Sequence, residues 1–131
     1  MKYILLMAAP KQGFEVYRKW SAEDVQTHFA ALHQIQSELT ESGEFVTTQG
    51  LAWPDEARLV RSGTNGSPVT DGVFPEGKEF LAGFWIVDVE SAARACQIAI
   101  KISGAPGPGG IPTDMPMEVR QIMTHRTGDC L

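Results

Sequence analysis

The sequence predicts an α+β protein in which one four-stranded sheet carries two helices on a single face. Three observations lead there. First, Phe80–Val89 reads as a strand apolar on both sides, with Phe80, Ala82, Phe84 and Ile86 on one face and Leu81, Gly83, Trp85, Val87 and Val89 on the other. Second, two helical repeats alternate with the strand signals, in the order strand, helix, strand, short hairpin, strand, helix, strand. Third, a strand that is apolar on both sides is covered on both sides, and two helices cover only one face of a four-stranded sheet. The uncovered face predicts a homodimer with two sheets packed together, burying about 800 Å² per partner.

Each element has a local cause. Lys2–Ala9 is the first strand, with Tyr3, Leu5 and Met7 on one side and Ile4, Leu6 and Ala8 on the other. This apolar start is too short to span a bilayer and lacks a cleavage region, so it is read as a strand and not as a leader. Pro10 and Gly13 end it, and Lys11–Trp20 reads as a loop. Its rings Phe14, Tyr17 and Trp20 either cap a sheet edge or subunit contact, or line a ligand mouth. Ser21 then caps a helix whose first turn holds Glu23 and Asp24. Val25, Phe29, Leu32, Gln36 and Leu39 recur at helical spacing, and Gly43 supplies the stop. His28 falls inside that stripe and His33 on its flank, so the two do not form a metal pair.

Glu44–Leu51 reads as the second strand, closed by Trp53-Pro54. Ala57–Arg61 alternates as a short strand, and Asn65-Gly66 marks a hairpin because both residues accept positive φ at low cost. After Phe80–Val89, Ser91 opens a second helix through Ala92, Ala95, Cys96, Ala99 and Ile102, small residues that allow close approach to a sheet; Gly104 ends it. The breaker-rich Gly104–Gly110 lacks the Lys-Ser/Thr pair and the following helix of a phosphate loop. Met117–His125 is the last strand, and the whole chain, 1–131, reads as one domain with neither repeat nor linker.

A formal net charge of −5 with no basic block argues against direct binding of a nucleic-acid backbone. No stretch argues for a membrane. Cys96 and Cys130 match neither a disulfide framework nor a metal spacing, which predicts reduced thiols, a cytoplasmic location and no metal or cofactor.

Residues 69–89, VTDGVFPEGKEFLAGFWIVDV, resemble the signature of the DGPF proteins in the YCII-related family: an Asp-Gly-Pro-Phe turn, a Lys-Glu pair, then Gly-Gly-Phe and an apolar strand. The opening Lys-Tyr-Ile-Leu-Leu-Met strand, the capped first helix and the Glu-Val-Arg of the last strand extend the likeness over nearly the whole chain. Val73 stands where that family usually has proline, and the Gly/Pro loop after the second helix is longer than usual. The resemblance implies a ferredoxin-like antiparallel sheet with two helices on one face, assembled as a dimeric α+β barrel. Relatives include an enzyme acting on a chlorinated ring product, thought to use a histidine and an aspartate. Other members lie beside or within sigma-factor-type transcription regulators. The histidine of the catalytic relatives falls near the start of the first helix, and neither His28 nor His33 aligns with it cleanly.

Asp71 is the first candidate catalytic residue. An Asp before Gly in a turn either bonds its own backbone or projects into a cleft as a base or as the orienter of a histidine. His28 is the second candidate: it is either a satisfied buried histidine or the acid/base partner. Arg61 and Lys78, with Glu79, are the candidate ligand-binding set, the cations suiting an anionic group. Lys78 and Glu79 equally suit a local or solvated pair. Trp85 reads as core or as a dimer contact, and Cys96 as a small core residue. Two functions stay open: a cofactor-free enzyme performing proton transfer or elimination on a small molecule, and a noncatalytic ligand-binding or regulatory module.

Overall fold

The computed structural model describes residues 1–10, 14–62 and 79–124. Its elements are β1 (Lys2–Pro10), α1 (Phe14–Arg18), α2 (Ala22–Ser42), β2 (Phe45–Gly50), β3 (Glu79–Asp88), α3 (Ala92–Ser103) and β4 (Met117–Gln121), with 3₁₀ turns at Pro54–Glu56 and Pro108–Gly110. The strands form one sheet in the order β2-β3-β1-β4, with every neighbouring pair antiparallel. Two β-α-β units therefore interleave: α2 carries the chain from β1 past β3 to β2, and α3 carries it from β3 past β1 to β4. This is the ferredoxin-like arrangement.

The helix caps form as their residues dictate. The Ser21 hydroxyl accepts from the Asp24 amide at 3.0 Å, and the Ser91 hydroxyl accepts from the Arg94 amide at 3.1 Å. Gly43 ends α2 at φ 79°, donating its amide back into the last turn.

One packed core joins Tyr3, Leu5, Trp85, Val87 and Val89 of the sheet to Ile35 and Leu39 of α2 and to Ala95, Ile98, Ala99 and Ile102 of α3. A smaller cluster holds Ala9, Phe80 and Met115. Both helices lie on the Leu5/Trp85 face. On the opposite face Ile4, Leu6, Phe84 and Ile86 stay partly open, and no described element covers them.

Five expectations need correction. The segment after Pro10 is not all loop, because Glu15 in the first turn and Arg18 in the last support the short helix α1. Ala57–Arg61 builds no strand: Pro54 starts a 3₁₀ turn before it, and only Leu59 makes a bridge. The last strand stops at Gln121, with His125 outside the described residues. Cys96 is exposed, since α3 turns Ala95, Ile98, Ala99 and Ile102 inward instead.

The fifth correction concerns β3. Met7 pairs with Gly83 and Ala8 with Leu81, leaving Ala82 as an extra residue. Such a bulge reverses the alternation. Phe80 thus joins Trp85 on the helix side, and Leu81 moves to the open face at 43% exposure.

Candidate functional site

Between the sheet and the N-terminal half of α2 lies a cavity of about 540 Å³. That is within the range of small-molecule pockets. Its roof is the stripe Val25, His28, Phe29, Leu32 and Gln36, residues three or four apart and so on one side of α2. Its floor includes Met7, Thr48, Phe80, Ala82 and Trp85. The β3 bulge matters here, because it is what brings Phe80 and Ala82 to the same side as Trp85.

The mouth is aromatic. Tyr17 and Trp20 follow one another at 5.6 Å, and Trp20 meets the His28 ring edge-on at 5.4 Å. Phe29 flanks the other side of His28 at 5.5 Å and is half exposed. Trp53 faces them from the turn after β2. Arg18 ties the two lips together, lying 5.4 Å over the Trp53 ring and pairing with Asp55 at 2.8 Å. Of the rings in the segment after Pro10, Tyr17 and Trp20 line this cavity.

His28 is the buried polar residue of this site. Its Nδ1 donates to the Pro106 carbonyl at 3.0 Å. A carbonyl oxygen only accepts, so Nδ1 carries the proton, and in the uncharged ring Nε2 is a bare acceptor. Every fully buried side-chain nitrogen or oxygen among the described residues has a partner. Nε2 has none among them and so is not fully buried, on a ring that lines the cavity.

The loop carrying Pro106 is itself tied down. Gly107 donates to the Ile111 carbonyl, Thr113 to the carbonyls of Ala105 and Ser103, and the Ser103 hydroxyl to the Met115 carbonyl.

Among the other candidates, Asp71 and Lys78 lie outside the described residues. Arg61 and Glu79 are exposed, and neither is among the residues lining the cavity. Trp85 is core, as expected, at 2% exposure, and it also floors the cavity. Thr48, Trp53 and the Pro106 carbonyl went unnoticed in sequence. Trp53, an aromatic beside proline in a connection, carried a signal of the same kind as Trp20. No group of three or more His, Cys, Asp or Glu among the described residues is placed to hold a metal ion. No helix there is long and apolar enough to cross a membrane.

Fold and site together define an α+β protein with a ferredoxin-like sheet and an aromatic-walled cavity under its first long helix. The sequence profile of the YCII-related domain matches residues 1–106. The chain belongs to the YCII-related family. It is 28% identical over 110 residues to the uncharacterised protein R00369 of Rhizobium meliloti (strain 1021), an alignment spanning 84% of this chain and 85% of that protein.

Proposed function

We propose that this protein binds a small, largely apolar molecule in the cavity beneath α2 and moves a proton on it without a cofactor, with His28 as the acid/base group. The observation that carries this reading is the hydrogen-bonding state of His28: Nδ1 is held by Pro106, which leaves Nε2 without a partner among the described residues on a ring that lines an apolar-walled cavity. Asp71 is assigned the second acid/base role from its Asp-Gly motif alone. Arg61, Lys78 and Glu79 are proposed to meet polar groups of the ligand outside the cavity. The working unit is proposed to be a homodimer joined through the open sheet face.

A second reading, a noncatalytic ligand-binding module of the kind that serves a transcription regulator, is favoured by one observation. No carboxylate stands among the described lining residues to complete a dyad with His28.

A thermal-shift screen of wild type and His28→Gln against a metabolite library, with mass analysis of each hit for product, separates the two. The enzyme reading expects hits that stabilise both proteins, with turnover about 10²-fold or more slower in His28→Gln. Stabilisation with no product from any hit supports the noncatalytic module. A protein that no compound stabilises contradicts both readings.

A further inference from the structure

Two polar side chains of the cavity have a hydrogen-bonding sense fixed by a main-chain partner. The Thr48 hydroxyl donates to the Phe84 carbonyl at 3.0 Å, which commits its only proton and leaves its lone pairs. When the His28 ring is neutral its Nε2 is an acceptor, because the ring's one proton is on the Nδ1 that donates to Pro106. Thr48 on the floor and His28 in the roof therefore both offer acceptors to the same space. Gln36, half-buried, presents either end of its amide, and His33 is exposed at the margin. The Tyr17 hydroxyl and the indole N–H groups of Trp20, Trp53 and Trp85 are donors on a wall otherwise made by Phe29, Phe80 and aliphatic neighbours, and no Lys or Arg is among the described lining residues.

From this we infer that the cavity selects an uncharged, flat ring compound bearing an N–H or O–H donor, of the indole or phenol class. The inference rests on the reading of the cavity as the ligand site given above, and adds the chemical class. Aromatic walls accept a planar body by stacking and edge contacts. A ligand offering only acceptors leaves His28 Nε2 and Thr48 unpaired once water is displaced, and an unmade buried hydrogen bond is penalised more than a made one is rewarded. A carboxylate cannot donate to those two acceptors and meets no Lys or Arg on the described wall.

The test uses three probes of similar shape: indole, indene, which lacks the N–H, and indole-3-carboxylate. Affinities are measured by NMR titration of the full chain and of its His28→Phe and Thr48→Val variants. Wild type is expected to bind indole, with shifts at the cavity residues, and to bind indole-3-carboxylate at least about tenfold more weakly. His28→Phe is expected to weaken indole about tenfold and indene by less than about twofold, with Thr48→Val acting in the same direction. Equal losses for indole and indene, or undiminished binding of the carboxylate, overturn the selection rule while leaving the cavity a ligand site. Binding of none of the three overturns the ligand-site reading and this inference with it. Should a variant fail to fold, the ¹⁵N shifts of the wild-type His28 ring decide. A proton on Nδ1 and a bare Nε2 that moves with indole but not with indene support the inference, and a ring protonated on Nε2, whether neutral or cationic, overturns it.

Discussion

A bidentate ion pair joins the end of α2 to α3. Arg94 Nε and Nη2 each reach a carboxylate oxygen of Glu44 at 2.8 Å, and the Ser42 hydroxyl adds a third bond at 2.7 Å. These bonds, led by those from Arg94, outweigh burial and hold the Glu44 carboxyl down at about 2. In the unfolded chain it titrates near its ordinary value, about 4.3. The folded state thus binds this proton less readily, so the pair's contribution is complete above that ordinary value and disappears as pH falls from there toward 2. Arg94 is 37% exposed, and solvent screening reduces the contribution to about 1 kcal/mol. Urea unfolding of wild type and Glu44→Gln checks this: a gap of about 1 kcal/mol at pH 6 should close by pH 2.5. The candidate site was legible at this scale only in part. The spacing of Val25, His28, Phe29 and Leu32 put the histidine on an apolar stripe. Its partner, however, is a main-chain carbonyl 78 residues away, and a carbonyl belongs to every residue and marks none. Sequence therefore sought the orienter of His28 among side chains, at Asp71, whereas the described structure supplies a peptide group.

At the scale of elements, the close approach of β2 to β3 decides the edge of the sheet. Gly83 pairs with Gly50, and a Cβ on Gly83 would stand 2.8 Å from the Gln49 carbonyl oxygen. That neighbour is backbone and cannot swing aside. Gly83→Ala is therefore expected to cost about 2 kcal/mol in chemical denaturation, with hydrogen exchange quickening in β2 first. At Gly43 the cause is different: open space surrounds the residue, but φ is 79°. Gly43→Ala should cost about 1 kcal/mol, with no change in the sheet. Helices and strands were readable wherever cap residues and apolar periods agreed, as at Ser21, Gly43 and Ser91. Ala57–Arg61 misled because alternation without an apolar face does not make a strand; its arginines sit outward on both parities. The bulge at Ala82 was hidden for the opposite reason. With apolar residues on both faces of β3, a one-residue slip leaves the hydrophobic pattern unchanged.

For the whole molecule, the open face of the sheet has the composition of an interface. Ile4 pairs directly with Ile86 and Leu6 with Phe84, giving an apolar centre two strands wide, extended by Leu81. Around it stand Thr47 and Gln49 on β2 and Glu118 and Arg120 on β4, each opposite one of the central residues. An apolar middle with a polar rim matches a buried patch better than a solvent face. A two-fold contact would set this surface against its own copy. If so, light scattering at micromolar concentration should report twice the 14.3 kDa chain mass. Ile86→Glu should then return the mass to that of one chain, because each copy would have to bury an unpaired carboxylate at the seam. Ile86 is not among the cavity-lining residues, so probe binding to the cavity should survive in this variant if each chain forms its own site. Loss of probe binding on dissociation would place part of the site across the seam, and a wild-type mass of one chain would refute the dimer.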